Sequence, residues 1–184
     1  FAIASGAVSS STRGVTAGGN LAPGYINVMD YVEIQTIGNA IDFGDLTTAL
    51  SNSSGVNNSV KGIFCGGANP GLSPATRSNI QSITIASKGN SFDIGDLQDG
   101  RYYGAGVCSN VRGVVGGGIA IQPGTLGMTS LLEFVTIASD GNAVVFGDLT
   151  TQRGKIASAE THTRGVFIGS DSGNPSTSTY TNVM

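Results

Sequence analysis

The sequence predicts an all-β chain built from about four divergent copies of one unit of about fifty residues. Three observations carry this. A basic residue followed by Gly and hydrophobics recurs at Arg13-Gly14-Val15, Lys61-Gly62-Ile63, Arg112-Gly113-Val114 and Arg164-Gly165-Val166, at spacings of 48, 51 and 52 residues. Gly-Asn (Gly38-Asn39, Gly89-Asn90, Gly141-Asn142) and Gly-Asp-Leu (Gly44-Asp45-Leu46, Gly95-Asp96-Leu97, Gly147-Asp148-Leu149) keep the same period. No segment shows the 3.6-residue apolar period of a helix.

Within one period the elements follow in order. A short strand such as Gly104 to Cys108 is joined by a tight Ser109-Asn110 link to a second, Arg112 to Gly116. A third strand is marked by the β-branched runs Val32-Glu33-Ile34, Ile83-Thr84-Ile85 and Val135-Thr136-Ile137. The Gly-Asn pair behind each run is expected to supply the positive φ of a tight hairpin turn. A fourth strand (40–43, 91–94 and 143–146) is expected to stop at Gly-Asp-Leu, where the Asp side chain can bind backbone N–H groups. One four-stranded sheet cannot bury both faces, so successive sheets must stack, around a ring or along a solenoid. Gly18-Gly19, Gly66-Gly67 and Gly117-Gly118 favour the ring, since strands near an axis are crowded. The copies are read as 1–48, 49–99, 100–151 and a partial 152–184, in one array.

Composition narrows the function. The 9 basic and 12 acidic residues leave a net charge of −3, and 11% charged residues give neither a nucleic-acid-binding surface nor an acidic tail. The 29 glycines mark many turns, while 39% hydrophobic residues argue against disorder. No apolar run approaches the roughly 20 residues that cross a bilayer, and the first residues lack the basic start of a signal peptide. Two cysteines, Cys65 and Cys108, cannot make a disulfide framework and read as small buried thiols.

The pattern resembles the kelch repeat on Gly113-Val114-Val115-Gly116-Gly117-Gly118, the following loop 119–129 and the hairpin 132–146. It departs from kelch in having no Trp, with Phe43, Ile94 and Phe146 expected in the aromatic slot. It is more closely similar to kelch-like repeat proteins of tailed phages, on Ser10 to Val15, Gly18-Gly19, Asn27 to Val32, Ile137 to Ser139, Gly141 to Ala143 and Phe146 to Thr150. The resemblance implies a kelch-like β-propeller of four-stranded antiparallel blades, three complete and a fourth partial. It implies a non-enzymatic structural or adhesion protein of the virion, such as a tail fibre, head fibre or other appendage. Expected partners are other virion proteins, further copies or further chain completing the propeller, and a host receptor or glycan. No cofactor, nucleic acid or membrane insertion is expected. The alternative is a cellular or secreted kelch-type interaction module, in the cytoplasm or outside the cell.

Candidate chemistry is sparse. His162 lies in the turn Glu160-Thr161-His162-Thr163, with Ser10, Ser59 and Asn110 as its expected counterparts, and lacks the partners of a catalytic histidine. Asp45, Asp96 and Asp148 sit one per copy and read as turn residues rather than a carboxylate ring. Arg13, Lys61, Arg112 and Arg164 are candidates to pair with them across neighbouring copies. Length and content vary most after Gly-Gly (20–26, 68–78, 119–129, 170–180), where a scaffold would present binding loops; Asn69, Pro70, Gln122, Pro123, Asn174 and Pro175 are the candidates there. The last residues, Thr181-Asn182-Val183-Met184, match Ile26 to Met29, so the fourth copy is expected to need strands from further chain or another copy.

Overall fold

The computed structural model describes residues 5–122 and 125–169, and among these there are strands and turns but no helix. Four strands, β1 (Gly6–Ser9), β2 (Arg13–Leu21), β3 (Gly24–Glu33) and β4 (Ile41–Asp45), form a first antiparallel sheet in the order β1-β2-β3-β4. The same order recurs in β5 (Ser54–Asn57), β6 (Lys61–Cys65), β7 (Asn79–Thr84) and β8 (Phe92–Asp96). A two-residue strand, β9 (Arg101–Tyr102), precedes the third sheet, built on β10 (Ala105–Cys108), β11 (Arg112–Gly116), β12 (Ile119–Gln122), β13 (Thr125–Thr136) and β14 (Val144–Arg153). There β10, β11, β13 and β14 repeat the order of the first two sheets, while β12 pairs with the first part of β13 and with β9. Finally β15 (Ala157–Glu160) and β16 (Gly165–Ile168) pair as an antiparallel hairpin.

The sheets pack face to face through their first strands. β5 lies against β1 and β10, and β10 against β15. A cavity of about 390 Å³ is lined by residues of all four, from Gly6 and Ala7 through Gly55 and Gly106 to Ser158. We call the face toward the following sheet the rear and the opposite one the front. Alternation along each strand assigns the side chains. Val8, Val15, Met29, Tyr31 and Phe43 on the first rear are buried with Phe64, Ile83 and Ile85 on the second front. Val56, Ile63, Cys65 and Ile80 are buried with Val115, Val135 and Ile137 in the same way. Phe43 packs edge-on to Tyr31, filling the expected aromatic slot, and Ile94 packs against the second core. Phe146 is 53% exposed, with Phe134 beside it.

Glycine sets how closely the sheets approach. A Cβ on Gly62, Gly113 or Gly165 would lie 2.5 Å from the Cγ2 of Val8, Val56 or Val107 on the preceding sheet. A Cβ on Gly55 would stand 1.9 Å from the Ala7 carbonyl oxygen, and one on Gly106 2.2 Å from that of Gly55. Each valine therefore sits in a notch left by the Gly of the Arg/Lys-Gly motif. The Gly-Gly pairs serve the linkers. Gly18 and Gly19, Gly66 and Gly67, and Gly117 and Gly118 all have positive φ, and Gly19, Gly67 and Gly118 donate N–H bonds of 2.7–2.8 Å to the carbonyls of Leu50, Arg101 and Arg153.

The Gly-Asn pairs do not form the hairpin turns expected of them. Those turns close earlier, through N–H bonds from Thr36, Ser87 and Ser139 to the carbonyls of Glu33, Thr84 and Thr136. Gly89 and Gly141, at φ +154° and +145°, instead extend along the last strand of the preceding sheet, whereas Gly38 has no positive φ. Gly89 N–H donates to Phe43 O, Asp45 N–H to Asn90 Oδ1 (3.0 Å), and Ser91 N–H to Asp45 O. Gly141, Asn142 and Ala143 repeat this on Ile94 and Asp96. The outer edges of β4 and β8 are thereby covered by the next repeat.

Gly113→Ala is expected to lower stability by about 1–3 kcal/mol through overpacking against Val56. Gly14→Ala, whose Cβ would meet only Val32 Cγ2 at 3.7 Å among the described residues, should be within about 0.5 kcal/mol of the parent. Denaturant midpoints of the two variants check this, and equal losses would contradict the notch.

Candidate functional site

The strands leave two kinds of connection at opposite ends of the sheets. At one end lie the segments after Gly-Gly, resting on linkers held by the Gly-Gly bonds. In the first sheet β2 and β3 continue past Gly18-Gly19 as a hairpin, with Leu21 opposite Gly24. In the third, β12 and β13 form a comparable hairpin with Ile121 opposite Leu126. In the second the chain is irregular, tied down by bridges from Ala68 to Ser51 and Thr76. One framework thus carries three different connections.

Of the candidate loop residues, Asn69 is half-buried and acts as a brace. Its Nδ2 donates to Ala49 O and its Oδ1 accepts from Gly71 N–H, both at 2.9 Å. Pro70 is exposed at the tip. Gln122 ends β12 opposite Thr125, while Pro123, Asn174 and Pro175 lie outside the described residues. Sequence reasoning passed over the exposed apolar side chains of these hairpins, Leu21, Ile121 and Leu126. The available signal was the alternation in Ile119-Ala120-Ile121-Gln122, which reads as strand rather than loop.

At the opposite end, four tight turns surround a cavity of about 560 Å³ lined by Ser9 to Ser11, Asn57 to Ser59, Cys108 to Asn110 and Glu160 to His162. Each turn is closed by its own side chain. Ser10 Oγ, Asn58 Oδ1, Ser109 Oγ and Thr161 Oγ1 accept from the N–H of Arg13, Lys61, Arg112 and Arg164. A second ladder crosses between sheets: Ser9 N–H donates to Asn57 Oδ1, and the Cys108 N–H and thiol both donate to the Glu160 carboxylate. His162 is exposed in the fourth turn, and by this bonding its counterpart in the first turn is Ser11 rather than Ser10.

The repeated basic residues do not pair with Asp45, Asp96 and Asp148. Arg13 binds Glu33, directly across the strand pair, and lies 4.3 Å over the Tyr31 ring. Lys61 reaches Asp140 at 3.3 Å, and Arg112 sits 4.1 Å over Phe134. Asp96 and Asp148 accept from Ser78 and Ser130 hydroxyls at 2.7 and 2.9 Å, a structural duty. Among the described residues no group of three His, Cys, Asp or Glu could hold a metal ion.

The most buried charges sit between the second and third sheets. Glu133, on a front face, binds Arg101, on the linker, with both side chains out of solvent. Glu133 Oε1 also accepts from Gln98 N–H at 2.8 Å, and Arg101 Nη1 donates to Leu131 O at 3.0 Å. Burial lowers the Arg101 pKa, opposed chiefly by the Glu133 charge. The junction between the first and second sheets uses Leu50 and Gln81 at the same places, and Gln81 Oε1 accepts from Thr47 N–H and hydroxyl and from Ser91. Both cysteines are free; Cys65 is buried and Cys108 partly so. Desolvation pushes the Cys65 thiol up to about 12 and that of Cys108 up to about 11. Compared with known proteins, the chain matches no protein-family model and no curated protein.

Arg101→Leu alone should cost about 3–5 kcal/mol, because it strands a buried carboxylate. Arg101→Leu with Glu133→Gln rebuilds the arrangement of the first junction and should recover most of that loss. A double-mutant cycle by urea unfolding measures it. The Cys65 thiol ionises near 8.5 in the unfolded chain but at about 12 when folded. Its contribution is therefore complete below about pH 8.5 and is lost as pH rises toward 12. Cys65→Ala, the residue found at the matching Ala17, should flatten that alkaline decline, as read from unfolding midpoints between pH 8 and 11.

Proposed function

We propose that this chain is a stretch of kelch-like β-propeller that works without covalent chemistry, as a structural or adhesive part of a phage particle such as a fibre or other appendage. The observation that carries the scaffold reading is the contrast between the two ends of the linker bonds. Gly19, Gly67 and Gly118 grip Leu50, Arg101 and Arg153 alike, while the segments just beyond them are a hairpin, an irregular loop and a second hairpin. Constant framework beneath variable, exposed tips is what a binding scaffold needs. The polar groups named above serve the junctions between sheets, which supports a mechanical rather than a catalytic role. The stacking of β1, β5, β10 and β15 suits sheets arranged about an axis. The particle assignment rests on the repeat pattern's similarity to phage kelch-like proteins. Its partners would be neighbouring virion proteins and, at the hairpin tips, a cell-surface receptor or glycan.

Ile121→Ser with Leu126→Ser changes one exposed tip and should alter stability by no more than about 1 kcal/mol. Retention of the purified chain on bacterial cells or immobilised glycans should fall at least about tenfold, as loss of a small apolar anchor predicts. Retention unchanged by altered tips in all three connections would overturn the adhesion reading. Antiserum to the chain should label intact particles of the phage that encodes it; label confined to the soluble fraction of lysed cells would overturn the virion assignment.

A further inference from the structure

The front of the first sheet carries most of the devices that the second and third fronts use to seat a preceding sheet, and among the described residues no sheet is seated on them. The notch at Gly14 is open, where Gly62 and Gly113 hold Val8 and Val56. Val32 and Ile34 are 42% and 56% exposed, whereas their counterparts Ile83, Ile85, Val135 and Ile137 are at most 4% exposed. Asp30 stands where Gln81 and Glu133 accept the N–H of Thr47 and Gln98. Gly38-Asn39 stands where Gly89-Asn90 and Gly141-Asn142 clasp the last strand of the sheet before them. A groove of about 400 Å³ crosses this face, lined by Ala7, Gly14, Thr16, Asp30, Val32 and Ala40. Two residues depart from the pattern: Thr16 replaces the apolar Phe64 and Val115, and Ala7 stands where Gly55 and Gly106 have no β-carbon and where the fourth repeat carries Ser158.

We propose that this face is a docking surface for the rear of another sheet of the same repeat, joined in one polypeptide as the sheets here are joined. The occupant's chemistry follows from the three junctions already described. Its first strand must bring a valine to the Gly14 notch. Its last strand must offer Gly-Asp backbone to Gly38-Asn39, with the N–H after the following Leu turned toward Asp30. An Arg placed like Arg101 would meet the Asp30 carboxylate, as Arg101 meets Glu133. Covalent continuity is favoured because the first two linkers are each gripped by both of the sheets they join. The Leu50 carbonyl accepts from Gly19 of the sheet behind it, and Ser51 bridges to Ala68 of the sheet ahead. Such tethering makes each docking step intramolecular, at millimolar effective concentration or above. This inference deepens the propeller reading, and its test is independent of the binding assays that test function.

The test joins a copy of residues 53–103 directly ahead of Ser5 in the otherwise complete chain. That segment supplies Val56, Gly95-Asp96, Gln98 and Arg101 in the spacing the first front requires. The fused chain should melt at least about 5 °C above the parent. The amides of Gly38 and Ala40 should gain hydrogen-exchange protection. Gly14→Ala should abolish both gains while leaving the unfused chain unchanged. A fused chain with no gain, or with a gain indifferent to Gly14→Ala, overturns the proposal and marks the face as a solvent-facing cap. Self-association of the unfused chain that Gly14→Ala abolishes would overturn the covalent source, since the occupant would then be a second copy.

Discussion

Everything else depends on how near the first strands of successive sheets come to one another. At Gly55 and Gly106 the backbone of one sheet lies on the carbonyl of the previous one, closer than any β-carbon would permit. This contact sets the spacing of the sheets at their inner edge. Once it is set, the valine of each first strand must enter the next sheet, and only the glycine of the Arg/Lys-Gly motif leaves room. The apolar side chains farther out then meet at ordinary packing distance and exclude water. In the fourth repeat Ser158 takes the place of Gly106 and hydrogen-bonds the Gly106 carbonyl at 2.6 Å, so a short polar side chain also satisfies the constraint.

The polar groups at the junctions finish what the close approach begins. Sheet stacking brings the backbone beyond Gly44-Asp45-Leu46 and Gly95-Asp96-Leu97 against the next front, where the partly buried N–H groups of Thr47 and Gln98 need acceptors. Gln81 supplies one at the first junction and Glu133 at the second. The carboxylate requires a cation where the amide does not, which is why Arg101 is buried in the linker while Leu50 suffices in the corresponding place. The two junctions show that one position tolerates neutral and ionic solutions provided that both partners change together.

Function, in the reading proposed here, lives where this accounting leaves side chains free. The turn end is occupied with its own bonds: each turn closes on a Ser, Asn or Thr, and the inter-sheet ladder engages Asn57, Cys108 and Glu160. The linker end is anchored at its base only. There the hairpin tips expose Leu21, Ile121 and Leu126 without any duty to the framework. Their divergence among repeats costs the stack nothing.

By itself the sequence determined the period, the all-β class and the approximate positions of the four strands that recur in each sheet. These are written locally, in alternation over a few residues and in residue types with no β-carbon. It also marked the variable connections, though not that two of them continue as strands. Tertiary structure alone decided what the repeated pairs do. Gly-Asn reads as a hairpin turn because turn chemistry is local, yet its partner is Asp45 or Asp96, some 45 residues back on another sheet. Arg13 and Arg112 read as candidates to pair with the repeated Asp residues, and only the arrangement of adjacent strands set Glu33 and Phe134 beside them. A short pattern fixes the conformation of its own backbone, but the atom across a junction is chosen by how two whole sheets lie on each other.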